Sequence, residues 1–316
     1  TTSGEMLIAG CYGGLPFPIP KTGAEVMWNH LLSYEGAAQK NDFQSWLVAW
    51  NGAPTLVNTG LTVQSWPWYH PQRTGPNTAK DNYWLVRVDI TEPARRVGEK
   101  IVFIDALDQV NLGRRAYQYI PGQRRVKLAP DIRYDTPSPF GGGAKTMDDS
   151  KTFLGAIDRY DWKLTGKKEK FILYNDFYGS DYKKCPAQKF TTKNFPNPDC
   201  MRWELHRTWA VEGTLKPGFR HIYKKRKFYF DEDGYGAGTG ENYDAAGALY
   251  RTSDTVFYPL PNRQENTASP SIVLDLQTGS WVVEGFQGGQ GLGAVPVPAP
   301  ADGFFSPEAL AGEGIR

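Results

Sequence analysis

The sequence predicts a mainly β protein, an unclosed antiparallel β-barrel in which one strongly curved sheet is covered by one or two helices. Three observations predict it. About a dozen segments are rich in β-branched and aromatic residues and bounded by turn chemistry. Several consecutive segments are joined by connections so short that they must be antiparallel neighbours. Finally, the ribbon from Arg202 to Asp233 sets two long alternating runs around Lys216-Pro217-Gly218-Phe219, the pattern of a large β-hairpin. A sheet curved this far has an inside, which is filled by its own side chains or by an apolar ligand.

The elements follow in order. Residues 1–21 end in a Gly/Pro-rich lead-in, CYGGLPFPIP. A helix is expected from Thr22 to about Tyr34, with Ala24, Trp28, Leu31 and Leu32 at helical spacing and Thr22 as its cap. Strands are expected over Phe43 to Asn51, Leu56 to Trp66, Tyr83 to Thr91, Lys100 to Asp105, Arg115 to Ile120, Arg124 to Ala129 and Lys168 to Tyr174. After the hairpin come Leu249 to Asp254, Ser271 to Leu276 and Ser280 to Phe286. Arg96 to Glu99, Pro121-Gly122 and Gln277 to Gly279 supply turns between neighbours. Asp148 to Tyr160 is a candidate second short helix, and residues 294–316 form an extended tail containing VPVPAP. No composition break or fixed-period repeat divides the chain, so a single domain over 1–316 is expected.

In the first arm of the hairpin Trp203, Leu205, Arg207, Trp209, Val211 and Leu215 share one face, and Glu204, His206 and Glu212 the other. If Leu215 pairs with Arg220, the return arm sets Ile222, Lys224, Arg226, Phe228 and Phe230 beside the oily face. A three-residue turn would instead exchange the faces of the return strand. The apolar match favours the first register.

With 316 residues, 40% hydrophobic and 22% charged, the chain can bury a full core, and a net charge of +2 gives no general reason to expect nucleic acid. Charge is locally segregated in two basic clusters, Arg114, Arg115, Arg124, Arg125 and Lys127, and Lys224 to Lys227, which read as solvated faces. No apolar run approaches the roughly 20 residues needed to cross a bilayer. Ile8-Ala9-Gly10-Cys11 resembles a lipoprotein processing site, but Thr1 to Glu5 supply neither the basic start nor the apolar stretch. Cys185 and Cys200 close a Pro- and Lys-rich stretch, KCPAQKFTTKNFPNPDC. A disulfide is the leading reading and two free thiols the alternative.

Motifs for chemistry are weak. Glu204, His206 and Glu212, with His221 across the hairpin, could in principle bind a metal or act as acid and base, yet no HExxH spacing is present. Asp231, Asp233 and Gly236 match only part of a calcium loop, because Tyr235 and Asn242 stand where oxygen donors belong. Gly141 to Thr146 lacks the Gly before Lys of a phosphate loop, and Gly288 to Gly293 does not join a strand to a helix as a dinucleotide site does. Catalytic residues, metal and cofactor are therefore all expected to be none.

Four long words carry a resemblance: GGLPFPIPKTGAEVMWNH at 13–30, RRAYQYIPGQRRVKLAPDIRYD at 114–135, DRYDWKLTGKKE at 158–169, and the hairpin at 202–233. Together they resemble the Gram-negative family catalogued as domain of unknown function 1329. The resemblance implies a periplasmic protein related in fold to the lipoprotein carriers LolA and LolB, an unclosed barrel with a hydrophobic cavity. It also implies neighbours in the envelope, an outer-membrane protein and an inner-membrane exporter of the resistance-nodulation-division class. Members usually begin with a signal peptide and a substantial segment ahead of the Gly-Gly-x-Pro-Phe-Pro word. That segment is absent here, and a retained N-terminal fragment is a possible partner. The family supplies no catalytic residues to carry over, and Cys185 and Cys200 lie outside its pattern.

The expected function is accordingly non-enzymatic binding of a lipid or other hydrophobic molecule, with a ligand-free structural adaptor as the alternative and a hydrolase as a weaker one. The chain carries 10 Trp, 17 Tyr and 16 Phe, a heavy aromatic load. Trp203, Leu205, Trp209, Val211 and Phe228 are expected to line the ligand wall, while Arg207, Lys224 and Arg226 gather their charged heads at its rim, suited to an amphiphile with an anionic head.

Overall fold

The computed structural model describes residues 10–130, 132–287, 294–301 and 303–312. The sheet follows the chain with few exceptions. Its strands are β1 Ala38–Val48, β2 Pro54–Ser65, β3 Asn82–Glu92, β4 Lys100–Ala106, β5 Arg114–Ile120, β6 Arg125–Leu128, β7 Tyr160–Leu173, β8 Trp203–Leu215, β9 Lys225–Asp231, β10 Gly238–Tyr243, β11 Leu249–Leu260, β12 Glu265–Asp275, β13 Trp281–Phe286 and β14 Val295–Pro296. Their order is β6-β5-β4-β3-β2-β1-β13-β12-β11-β10-β9-β8-β7, all neighbours antiparallel, with β14 added to β1. The expected architecture is the one found: mainly β, one antiparallel sheet, not closed, with β6 and β7 at its two ends. Register shifts in β1 near Gln44 to Trp46 and in β7 near Gly166 bend the strands. The far end rolls far enough that β7 lies against β11 and Lys170 reaches Glu241 of β10 at 3.7 Å.

Helix α1, Gly23–Leu31, starts where expected: the Thr22 hydroxyl accepts from the Glu25 amide and the Glu25 carboxylate accepts from the Thr22 amide. Its buried side chains, among them Val26, Met27 and Trp28, join the main core on the concave side together with Val88, Ile101, Phe153, Val211, Phe228 and Phe230. Short helices α2, Ala187–Phe190, and α3, Pro307–Gly312, were not expected. Helix α2 belongs to the segment closed by a Cys185–Cys200 disulfide, with Cα atoms 5.7 Å apart. Its Phe190 packs on Trp281 and Phe286 of β13. Because side chains alternate across a strand, Trp281 and Val283 face this lobe while Val282 and Glu284 face the inside.

Three expectations are corrected. First, the hairpin pairs Thr214 with Lys225, Trp209 with Phe230 and Val211 with Phe228, so the connection runs from Lys216 to Lys224 and the register lies four residues beyond a Leu215–Arg220 pair. The even shift preserves which side chains share a face. Tyr223 explains the length: its hydroxyl donates to Asp149 and its carbonyl accepts from Tyr160, holding this stretch away from a tight turn. Second, Asp148 to Tyr160 is not a helix but two single turns, Met147–Asp149 and Ile157–Arg159, the latter leading into a β7 that begins eight residues before the expected strand. Third, β10 carries no strand signal in the sequence because it begins Gly-Thr-Gly. A Cβ on Gly238 would stand 2.7 Å from the Phe230 ring and one on Gly240 2.9 Å from the Phe228 ring, so the strand is built of glycine to admit two aromatic neighbours.

Candidate ligand cavity

The segment from Pro137 to Leu154 runs through the inside of the curved sheet as a strap. It is tied on four sides. Lys145 Nζ lies 2.9 Å from Glu284 of β13 and 2.6 Å from the Ser150 hydroxyl. Lys151 Nζ lies 2.6 Å from Glu35, which follows α1. The Leu154 carbonyl accepts from Arg114 of β5 at 3.1 Å. Asp148 and Asp149 receive the guanidinium of Arg226 on β9 at 2.7 and 3.0 Å, and His221 lies 3.2 Å from Asp148. Lys145, Asp148, Asp149, Arg226 and Glu35 are buried, and Lys151 and Glu284 partly so; an unpaired charge there is costly, whereas paired and hydrogen-bonded they hold the strap in one position.

Between this strap and β1 to β4 lies a cavity of about 120 Å³. Its wall is made of cross-strand rows. Gln39, Gln64, Val86 and Phe103 stand opposite one another along β1, β2, β3 and β4, and Asn41, Thr62, Val88 and Ile101 form the next row. The wall therefore changes from neutral polar at β1 and β2 to apolar at β3 and β4. Phe140, Met147 and Leu154 of the strap close the apolar side. Gln64 accepts from the Trp84 indole at 3.1 Å, whereas the buried Oδ1 of Asn41 has no hydrogen-bond partner. Arg114 forks onto Asp105 at 2.8 and 2.6 Å. Burial opposes its charge, but Asp105 outweighs that and holds the guanidinium above its ordinary range. A second cleft, about 380 Å³, lies between α1, the Leu107 to Asn111 turn and the start of β7. Within it Gln109 accepts from the Ile157 amide and the Trp162 indole donates to the Ile157 carbonyl.

The family model described as Protein of unknown function (DUF1329) matches residues 1–311. The chain belongs to that family. Uncharacterized protein PA3922 of Pseudomonas aeruginosa is 34% identical over 303 residues, 95% of this chain, and the chain spans 66% of that relative's length. Among solved structures, a domain from Vibrio parahaemolyticus named for outer membrane lipoprotein sorting superposes with a TM-score of 0.61 at 13% identity, over 92% of this chain and 98% of that one. A DUF1329 family protein from Desulfovibrio piger gives 0.56 at 12%, over 91% and 97%. LolA superfamily protein NE2245 from Nitrosomonas europaea gives 0.51 at 14%, over 91% and 98%. At such identities the likeness is one of fold.

In this DUF1329 chain the side chains expected to line the ligand wall are spread over three environments, and none lines the cavity. Val211 and Phe228 are core, and Trp209 packs on that core beneath Lys167, whose Nζ lies 4.4 Å from its ring. Trp203 and Leu205, 44% and 57% exposed, lie beyond the end of the core on the outer part of β8. The cations form no common rim: Lys224 is exposed, Arg207 pairs with Glu232 at 2.5 Å, and Arg226 is fully buried in the ion cluster of the strap. Arg114, like Arg226, came from a run read as a solvated basic face. Burial of both follows from acidic partners distant in sequence.

The acid-base set also divides. His206 Nδ1 lies 2.8 Å from Asp231 and Nε2 3.3 Å from Glu204, so both ring nitrogens are occupied by carboxylates. Glu212 is 4.0 Å from Lys227, and His221 belongs to the strap cluster. Among the described residues no group of three His, Cys, Asp or Glu is arranged to hold a metal. Asp231 Oδ2 accepts from the amides of Asp233 and Gly234, which is turn geometry. Gly141 to Thr146 is part of the strap, and Gly288 to Gly293 lies outside the described residues. Cavity residues missed from the sequence, such as Gln39, Asn41, Lys151 and Glu284, carry one usable signal: Gln39, Asn41 and Phe43 alternate as an inward face.

Proposed function

We propose that this chain is a periplasmic, non-catalytic binding protein that shelters the hydrophobic part of a lipid or other amphiphile inside its half-barrel. The observation that carries this reading is the cavity between strap and sheet, apolar on the side of Val86, Val88, Phe103, Phe140 and Leu154. Pockets for whole drug-sized ligands run to roughly 300–1,000 Å³. A cavity of about 120 Å³ suits part of a molecule, with the remainder emerging between strap and sheet. The shared fold with a domain named for lipoprotein sorting agrees with this reading by analogy. Delivery to an outer-membrane protein, or receipt from an exporter of the resistance-nodulation-division class, is the envelope role we assign to it.

Native mass spectrometry of protein purified from Gram-negative cells, followed by solvent extraction, tests the proposal. A bound amphiphile is expected, and Val86→Phe, which fills the cavity, should lose it while keeping the far-ultraviolet spectrum. Failure of the wild type to carry or take up any amphiphile would overturn the carrier reading. A structural adaptor would then replace it, favoured by a different observation: Phe171 of β7 and Leu205 of β8 stand opposite each other, 63% and 57% exposed, beside Trp203.

A further inference from the structure

Every charged side chain that lines the cavity, among the described residues, already has its counter-charge. Glu35 is matched by Lys151 at 2.6 Å, Glu284 by Lys145 at 2.9 Å, and Arg114 by Asp105 at 2.6 Å. Glu284 is further held by the Ser150 hydroxyl, which donates at 3.2 Å. A carboxylate or ammonium entering this space would lose its water and find no free opposite charge; it could gain a partner only by parting one of these pairs and leaving a buried charge alone. What the wall does leave open is neutral. Asn41 is 7% exposed, faces the cavity from β1, and its Oδ1 has no hydrogen-bond partner. A buried amide oxygen left unpaired is unfavourable, and a ligand that donates a hydrogen bond to it removes that cost. The row beside it, Gln39 and Gln64, is likewise uncharged.

Resting on the carrier reading, we infer that the cavity selects amphiphiles with an uncharged, hydrogen-bond-donating head, an alcohol, glyceride or amide, over anionic and cationic heads. The head lies at Asn41 and the chain runs along Val86, Val88 and Phe103. The ion pairs supply the discrimination: they are closed to a charged head and leave only neutral hydrogen-bonding capacity.

The experiment measures displacement of the neutral fluorophore N-phenylnaphthylamine from the whole chain by monolauroylglycerol, laurate and dodecyltrimethylammonium, which share one chain length, all below their micellar concentrations. Monolauroylglycerol is expected to bind about tenfold more tightly than either charged amphiphile. Asn41→Leu should weaken monolauroylglycerol about fivefold, the worth of one hydrogen bond, with the fluorophore's own affinity measured on each variant as the reference. Glu35→Gln frees the Lys151 ammonium and should raise laurate affinity while leaving dodecyltrimethylammonium excluded, a gain that simple loosening of the fold would not give. If the fluorophore binds but laurate binds as well as or better than monolauroylglycerol, or Asn41→Leu leaves the preference intact, the head-group inference is overturned and the carrier reading stands. If neither the fluorophore nor any of the three amphiphiles binds, the carrier reading fails and takes this inference with it.

Discussion

Arg226 on β9 donates to Asp148 on the internal strap at 2.7 Å, with the Arg226 side chain wholly buried and that of Asp148 2% exposed. The two residues stand 78 apart in sequence. Their contact is one of the ties that hold the strap across the inside of the curved sheet. Asp149 takes the second arm of the guanidinium, Asn242 accepts from its Nε at 2.7 Å, and the Phe153 and Phe228 rings lie about it at 5.1 and 5.0 Å. The cation is thus supplied with acceptors and enclosed by aromatic surface.

Arg226→Ala is therefore expected to act on stability first. Leaving two carboxylates buried without their cation should cost about 3–5 kcal/mol, seen as a lower midpoint in urea unfolding. Adding salt to roughly physiological strength and above should not restore it, because a buried pair is poorly screened. An Arg226→Glu variant that folds with wild-type stability and merely alters head-group preference would show that the ion cluster does not hold the strap.

Two histidines should titrate in opposite directions, which nuclear magnetic resonance of the ring protons can follow. Burial lowers His206, but hydrogen bonds to Asp231 and then Glu204 outweigh it and raise it above its ordinary 6.5. Its folded form favours the proton, so its contribution to stability is fully present below the unfolded value and is lost as pH rises through the folded one. Burial in the core, where its ring stacks on Phe230 at 3.9 Å, pushes His30 down to about 4, even though its Nδ1 and Nε2 lie 2.7 and 3.0 Å from the Tyr235 and Phe153 carbonyl oxygens, only one of which a neutral ring can donate to. That ring stays neutral in the fold, so its contribution is complete above the unfolded value and falls as pH drops from 6.5 toward 4. If His206 titrates below His30, the carboxylate clamp around His206 is not formed in solution.

The lobe closed by Cys185 and Cys200 should depend on its disulfide. The bridge closes a separation of 15 residues, for which chain entropy gives about 3 kcal/mol. Replacing both cysteines by Ala should lower the urea midpoint accordingly and loosen Phe190 from Trp281. Non-reducing peptide mapping should recover the linked pair, with Cys11, which is exposed and free, alone open to alkylation. Recovery of Cys185 and Cys200 as two alkylatable thiols without reductant would contradict the bridge.

The main lines of the sheet were legible because its signals are local. Trp209 and Val211 share one face between Thr208 and Glu212, as Phe228 and Phe230 do between Lys227 and Asp231 on the return, and an even register error leaves such faces intact. The α1 start was legible for the same reason, since Thr22 and Glu25 complete their cap within four residues. The cavity was not, because its wall and strap are defined by partners far apart. Lys145 sits in a Gly-rich stretch that reads as a surface loop, and only Glu284, brought in by β13, explains why it is buried. Asn41 lies between Lys40 and Asp42, so the inward face of β1 begins within a run that composition alone assigns to solvent. Arg226 misled for the converse reason: a cation on an oily face was read as a rim, although buried partners from the strap were the other way to satisfy it.

Gly60 gives the sharpest packing test of the cavity wall. It lies on β2 between Phe43 of β1 and Ile90 of β3, at the end of the two rows that form the wall. A Cβ there would meet the Asp89 carbonyl oxygen at 2.5 Å and the Phe43 ring at 2.8 Å. The ring belongs to a buried side chain and the oxygen to the adjoining strand, so neither yields without moving part of the sheet. Gly60→Ala is expected to cost about 1–3 kcal/mol by overpacking, even though Ala is otherwise no worse than Gly within a strand. Adding Phe43→Leu should recover only part of this, since it removes the ring contact and leaves the backbone oxygen in place. Urea unfolding of the single and double variants separates the two contributions, and an unchanged midpoint for Gly60→Ala would mean that β2 and β3 stand farther apart than this wall requires.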